Sequence, residues 1–240
     1  DSKVWPDPPP FHREYDFSAA GVRRSIEDSL QRLGVERIDM VFIHDLSPDN
    51  RDMGERWTDY FEQARRGAMP ELVRMREEGL INAWGLGVNS IAPALRTLEV
   101  SDPDIFLSAT QYSLVRHEES LLRLQPACAE RGVSLVLGSP LNVGFLCGVE
   151  RIDYLGTITD ELRAKRARME ALCRAHGTDL RTAALQFAAA PTVVSSVLVG
   201  ARNATQMRED IASMSARLPS ALWADLKREG LIHADAPVPA

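Results

Sequence analysis

Residues 29–45 read SLQRLGVERIDMVFIHD, and this stretch decides the fold class. An amphipathic helical pattern ends near Gly34, an apolar strand pattern follows from Ile38 to Ile43, and His44 stands where that strand ends. A helix followed at once by a short buried strand is typical of a parallel α/β protein. In such proteins, polar side chains at the carboxyl ends of strands face the ligand crevice. His44 is therefore the first candidate for a functional residue.

Strand and helix patterns alternate along the rest of the chain, beginning with a helix that Asp16 or Ser18 can cap. The patterns predict strands over residues 38–43, 83–88, 105–110, 133–137 and 193–199. They predict helices over residues 18–33, 69–78, 91–98, 118–131, 160–175, 178–189, 203–214 and 219–229. This alternation indicates βαβ units and a parallel sheet. A closed barrel of this type needs about eight strands, so we predict a TIM-type (β/α) barrel that is incomplete at the N-terminus.

These patterns also divide the chain into three parts. We expect a proline-rich N-terminal loop over residues 1–17, the barrel part over residues 18–232 and a frayed tail over residues 233–240.

Composition narrows the possible partners. The 240 residues are 45% hydrophobic and 26% charged, as in ordinary globular domains, and the net charge of −6 argues against nucleic acid and anionic membranes. No apolar run approaches the ~20 residues of a membrane span. The three cysteines, Cys128, Cys147 and Cys173, are widely spaced and form no CxxC pair. We therefore expect a reducing, cytoplasmic location and no metal site.

Each predicted strand ends in small or polar residues. The five ends are His44-Asp45, GLGVNS at 85–90, TQYS at 110–113, GSPLNVG at 138–144 and GARN at 200–203. Because the carboxyl ends of parallel strands meet at one edge of a sheet, we expect one rim of amides, hydroxyls and an imidazole.

In order and spacing these motifs resemble the aldo-keto reductase superfamily. Counterparts there are the SL.RLG run before a strand ending in histidine, GVNS at 87–90, Gln111, SPLNVGFL at 139–146 and the GARN loop. The segment that begins YDFS at Tyr15 is similar to the subgroup of sugar (D-threo-aldose and L-fucose) and pyridoxal dehydrogenases. The resemblance implies hydride transfer between the nicotinamide of NADP or NAD and an aldose hemiacetal, aldehyde or alcohol.

The resemblance also implies a role for each strand end. His44 would be catalytic, either orienting the substrate carbonyl or taking part in proton transfer. The cofactor-binding residues would be Asn89, Ser90 and Gln111 at the nicotinamide carboxamide, Ser139, Leu141 and Gly144 at the pyrophosphate, Gly200, Ala201 and Arg202 at the adenosine phosphate, and Gln206, Glu209 and Asp210 at the ribose and adenine. A single arginine, Arg202, does not decide between NAD and NADP.

Each of these residues also has an ordinary structural interpretation. His44 can be satisfied by its own loop, and Asn89 can cap the helix that follows it. Gln111 can be solvated, and Glu209 and Asp210 can form an exposed helix face.

Two departures from the family pattern favour a second hypothesis. The catalytic aspartate, tyrosine and lysine of the family follow strands for which this chain has no match, and Lys3 is only a faint counterpart of the lysine. Gly138 stands where many relatives place an aromatic ring against the nicotinamide. The alternative is a truncated or non-catalytic relative that binds cofactor or a protein partner without turnover. Open sheet edges would then permit an oligomer, and we expect no dehydrogenase turnover from these 240 residues alone.

Overall fold

Five strands form one parallel sheet in the computed structural model, which describes residues 14–154 and 156–239. The strands are β1 (Ile38–His44), β2 (Ile81–Val88), β3 (Ile105–Ala109), β4 (Ser134–Gly138) and β5 (Val194–Leu198), and they pair in this order. The predicted α/β class and its five strands are confirmed. Most of the predicted N-terminal loop, including Lys3, lies outside the described residues.

Helices follow the strands as the sequence patterns predict. They are α1 (Ala19–Leu33), α2 (Trp57–Arg66), α3 (Ala68–Glu77), α4 (Ile91–Val100), α5 (Gln125–Arg131), α6 (Asp160–Ala175), α7 (Leu180–Ala189), α8 (Ala204–Ser215) and α9 (Ser220–Arg228). Shorter turns of helix lie at Gly54–Arg56, Ser120–Leu124 and Asn142–Cys147. In the described part of the chain, no helix combines the length and hydropathy that crossing a membrane requires.

The hydroxyl of Ser18 caps α1 by accepting a hydrogen bond from the Gly21 N–H at 3.0 Å. The Asp16 carboxylate accepts from the Ser18 N–H at 3.0 Å, so both predicted residues contribute to the start of this helix. The helix ends at Gly34, whose left-handed backbone (φ 66°) supplies the turn into β1.

The edge strands differ from the inner strands in their burial. Trp84 and Leu86 on β2 and Phe106 on β3 are fully buried, whereas Met40 on β1 is 49% exposed and Leu198 on β5 is 53% exposed. The core therefore lies around β2, β3 and β4, and β1 and β5 carry apolar side chains that face solvent.

The C-terminal residues, for which the sequence predicts fraying, pack against the core instead. Ile232 and Ala236 are buried, and Val238 contacts the core cluster. His117 holds this segment in place, because its Nε2 accepts a hydrogen bond from the His233 N–H at 3.0 Å. The hydrogen of the neutral ring is then on Nδ1, which donates to the Ser113 carbonyl oxygen at 3.0 Å. Burial lowers the pKa of His117 to about 4.

This low pKa makes stability depend on pH. An unfolded chain binds a proton at His117 below about pH 6.5, whereas the folded chain excludes it until about pH 4, so acidification between these values favours unfolding. On acidification, the free energy of unfolding should fall by up to ~3 kcal/mol less in His117→Gln than in the unchanged protein. Urea unfolding of both proteins at pH 7 and pH 4.5 measures this difference. Equal losses in both proteins would contradict the assignment.

β2 and β3 approach each other most closely at Gly85. A Cβ atom built on Gly85 would lie 1.5 Å from the Ile105 carbonyl oxygen, a backbone atom that cannot move without disturbing β3. At Gly87, two residues further along, an added Cβ would lie 3.5 Å from the Phe42 Cβ, which is an ordinary contact. Glycine is therefore required at the first position and only tolerated at the second.

We expect Gly85→Ala to lower the free energy of unfolding by at least about 3 kcal/mol, because the clash is with backbone. Gly87→Ala is the matched control and should change it by less than about 1 kcal/mol. Equilibrium unfolding in urea compares the two variants. Similar small effects of both would show that the strands do not approach as closely as described.

Candidate functional site

The strand pairing brings the five carboxyl ends to one edge of the sheet. His44 stands opposite Gly87, and Val88 stands opposite Ser108. At the other end of the sheet Gly138 pairs with both Ala109 and Leu198. The loops that begin at residues 45, 89, 110, 139 and 199 consequently leave the sheet on the same side. The candidate residues at the ends of β1 to β4 thus share one rim.

Gln111 connects the ends of β2 and β3. Its side-chain Nε2 donates to the Asn89 carbonyl oxygen at 2.6 Å and to the Thr110 Oγ1 at 3.2 Å. The Asn89 side-chain Nδ2 in turn donates to the Asp49 carboxylate at 3.1 Å. Within the described residues, the Gln111 Oε1 and Asn89 Oδ1 atoms accept no hydrogen bond, which leaves two amide oxygens as acceptors for a ligand.

The loop after β1 folds over the end of β2. The Ser47 hydroxyl lies 2.8 Å from the Ser90 hydroxyl and also bonds to the Asp49 carboxylate. Asn50 fixes the start of this loop by donating to the Asp45 carbonyl oxygen at 3.0 Å. Ser90 is the N-cap residue of α4, so the structural interpretation of Asn89 as that cap is wrong.

His44 is the most exposed of these residues, with 81% of its side chain accessible. Its Nδ1 lies 3.5 Å from the Asp45 carboxylate. In the part of the chain that the structure describes, the ring forms no hydrogen bond, ion pair or ring contact with a tyrosine or lysine side chain. The imidazole is thus an accessible group at the rim, as substrate contact requires, and it is not buried in its own loop.

The turn after β4 has an unusual backbone. Ser139, Asn142 and Val143 adopt positive φ angles of 55°, 47° and 58°, and Gly144 follows at 99°. A β-branched residue such as Val143 rarely adopts this conformation, which costs of order 1–3 kcal/mol. The Ser139 hydroxyl lies 3.3 Å from that of Tyr154. Strain of this kind is concentrated in ligand-binding segments.

Gly138, just before this turn, has a packing reason for lacking a side chain. A Cβ atom at this position would lie 3.1 Å from the Ala109 Cβ and 3.3 Å from the Leu107 Cδ2. A side chain here would require the β3 side chains of Ala109 and Leu107 to shift by a few tenths of an ångström.

The loop after β5 leads into the N-terminus of α8. The Asn203 Oδ1 accepts from the Gln206 N–H at 3.0 Å, and the Gln206 Oε1 accepts from the Arg202 N–H at 2.8 Å. This reciprocal cap fixes the first turn of the helix. Arg202 is exposed beside the helix N-terminus, an environment that favours anions.

Further along α8, two predicted cofactor residues have contacts of their own. The Glu209 carboxylate pairs with Arg181 of α7. Asp210 is buried, and this burial raises its pKa. It borders an apolar cavity of about 460 Å³ between α8 and β5. The role of these residues at a ribose or adenine stays a prediction.

The chain matches the family model described as the aldo/keto reductase family over residues 2–229. The chain belongs to the aldo/keto reductase family. It is 34% identical over 231 residues to D-threo-aldose 1-dehydrogenase from a Pseudomonas species, a match that covers 94% of this chain and 66% of the relative. It is 33% identical over 228 residues to pyridoxal 4-dehydrogenase from Microbacterium luteolum, covering 92% and 65%. The chain therefore spans about two thirds of the length of these relatives.

Solved structures of the family share the fold. The holo form of an aldo-keto reductase from Bacillus halodurans aligns with a TM-score of 0.69 at 23% identity, covering 92% of this chain and 70% of that one. The glycerol dehydrogenase from Gluconobacter oxydans aligns with a TM-score of 0.62 at 20% identity, covering 94% and 69%.

Sequence reasoning missed Ser47 and Asp49, which hold Ser90 and Asn89. A signal was available, because the polar run SPDN at residues 47–50 directly follows the candidate catalytic histidine. It also missed Tyr154, for which the sequence offers no signal, since 15 positions separate it from its partner Ser139.

Proposed function

We propose that this member of the aldo/keto reductase family forms the dinucleotide-binding part of an NAD(P)-dependent oxidoreductase that acts on an aldose hemiacetal, aldehyde or alcohol. The observation that carries the proposal is the bond from Gln111 to the Asn89 carbonyl oxygen, which joins two predicted nicotinamide-binding residues. Family membership and the named dehydrogenases among its relatives support the reaction class.

The groups at the ends of β2 and β3 fit a carboxamide. A carboxamide has two N–H donors and one carbonyl acceptor. The Gln111 Oε1 and Asn89 Oδ1 atoms can accept from the donors. The Ser47 hydroxyl donates to Asp49, so the Ser90 hydroxyl is the group that can donate to the carbonyl, by exchanging its bond to Ser47 for one to the ligand. We therefore assign Asn89, Ser90 and Gln111 to the nicotinamide amide.

The phosphates are assigned to the two segments after β4 and β5. Ser139, Leu141 and Gly144 lie in the turn with the unusual backbone. Gly200, Ala201 and Arg202 precede the capped N-terminus of α8, where backbone N–H groups and a guanidinium favour an anion. Arg202 would contact a 2′-phosphate if the cofactor is NADP, and Gln206, Glu209 and Asp210 remain the candidates for ribose and adenine.

When bound, a nicotinamide cofactor supplies the hydride acceptor or donor. His44 would hold the substrate oxygen by a hydrogen bond from its exposed imidazole.

A second candidate function is cofactor binding without turnover. It is favoured by the surroundings of His44, since within the described residues no tyrosine or lysine side chain forms a hydrogen bond, ion pair or ring contact with it. The proton that must move with the hydride then lacks a donor other than the imidazole and solvent.

Dinucleotide binding is tested by titrating the 240-residue chain with NADP and with NAD while following tryptophan fluorescence. We expect saturable quenching by at least one of them. Gln111→Ala should weaken binding by about tenfold, because it removes one or two hydrogen bonds to the ligand or its pocket. Asn82→Ala is the matched control, since Asn82 carries an exposed amide at the opposite end of β2. Absence of saturable quenching in the unchanged chain would contradict the proposal.

Turnover separates the two candidate functions. We expect no aldose-dependent formation of NADPH or NADH by these 240 residues. A longer polypeptide should oxidise an aldose if strands that carry the family's aspartate, tyrosine and lysine are joined to the N-terminal side of these 240 residues. Absorbance at 340 nm measures both, and turnover by the 240 residues alone would exclude the binding-only candidate.

A further inference from the structure

Three polar side chains form a cluster at the turn after β4. They are Arg116, Asn142 and Asp153. Asn142 is fully buried, and its Nδ2 donates to the Asp153 carboxylate at 2.9 Å. Arg116 contacts the other oxygen of that carboxylate at 2.7 Å. The Asp153 N–H donates to the Asn142 carbonyl oxygen at 3.3 Å, which closes a second bond between the two residues.

This cluster coincides with the unusual backbone. Asn142 and Asp153 both adopt positive φ angles, of 47° and 48°, and Val143 follows Asn142 at 58°. Short polar residues tolerate this conformation because their side chains can bond locally, whereas a valine does not. The strained conformation persists only if the surrounding contacts enforce it. The bonds between Asn142 and Asp153 contribute to this, together with the bond from the Arg151 guanidinium to the Val143 carbonyl oxygen.

The cluster also connects two parts of the rim. Arg116 belongs to the loop after β3, which begins at Thr110 and contains Gln111. Ser113 and Arg116 close a tight turn in that loop by paired backbone hydrogen bonds. Asp153 belongs to the segment after the helical turn Asn142–Cys147. A buried carboxylate therefore joins the predicted amide-binding loop to the predicted pyrophosphate-binding turn.

We infer that Arg116, Asp153 and Asn142 form a positioning cluster that keeps the 139–144 turn in the conformation required for the pyrophosphate of a dinucleotide. This inference rests on the proposed function. None of the three residues needs to touch the ligand, because their effect passes through the backbone of Asn142, Val143 and Gly144. Without the cluster, only a fraction of molecules would hold the turn in the binding conformation, and the apparent affinity would fall to that fraction of its value.

The test compares NADP with adenosine 2′,5′-bisphosphate, which carries the adenosine phosphates but no pyrophosphate bridge. In Asp153→Ala we expect affinity for NADP to fall about tenfold and affinity for the bisphosphate to stay within about twofold. Asp153→Asn can still accept a hydrogen bond from Asn142. It should therefore keep more than half of the NADP binding free energy that Asp153→Ala loses. Arg116→Met should have a smaller effect than Asp153→Ala, because half of the Arg116 side chain is exposed.

Glu150→Gln is the matched control. Glu150 lies three positions before Asp153 and pairs with Arg163 and Arg166, outside the cluster. Its replacement removes ion pairs from the same segment and should leave both affinities unchanged.

Hydrogen exchange of the peptide that covers residues 139–148 gives a readout independent of any ligand. It should accelerate in Asp153→Ala and stay unchanged in Glu150→Gln, because only the former loses the cluster.

The outcomes separate the two proposals. Equal NADP affinity in Asp153→Ala and the unchanged chain would overturn the positioning role and leave the proposed function standing. Equal losses for NADP and the bisphosphate would also overturn it, since they indicate general disorder. An unchanged chain that binds neither NADP, NAD nor the bisphosphate would overturn the proposed function, and the positioning role would fall with it. If Asp153→Ala does not fold, the selective loss in Arg116→Met decides the question.

Discussion

The parallel pairing of five strands in chain order is the constraint on which the rest of this structure depends. It places the end of every strand on one edge, so that residues from distant parts of the sequence meet there without a dedicated binding loop. The absence of a side chain at Gly85 permits this pairing, because a Cβ atom there would collide with the Ile105 carbonyl oxygen. Any change that separated these two strands would also separate Asn89 from Gln111.

Hydrogen bonds and an ion pair between neighbouring loops connect the rim. Asp49 reaches Asn89, Gln111 reaches the Asn89 backbone and Arg116 reaches Asp153. Each bond joins the end of one strand to that of a neighbour. Groups fixed in this way have little conformational freedom left to lose when a ligand binds, and this lowers the entropic cost of binding. His44 differs, because its exposed ring retains the freedom to adapt to a substrate.

The strands and most helices could be predicted from the sequence because periodicity reports which face each element buries. The break between α2 and α3 could not be predicted, since it arises where the Ala68 N–H bonds to the Phe17 carbonyl oxygen, a contact between distant positions. The packed tail around Ala236 escaped prediction for the same reason, because its partner His117 lies 116 residues before His233. The candidate residues could be found because they follow strands. Asp153 could not be found in this way. It acts through a turn whose backbone conformation cannot be recognised from the amino-acid sequence.

The contact between His117 and His233 also has a consequence for synthesis. The rings of Tyr112 and Phe187 pack edge-on against this histidine, and Trp223 stacks on Phe187. Ile232 and Ala236, on either side of His233, are buried as well. A nascent chain emerges from the ribosome N-terminus first, at about 5–20 residues per second. Tyr112 and His117 are thus made several seconds before residues 232–236, and during that interval this part of the cluster remains open to water and to chaperones.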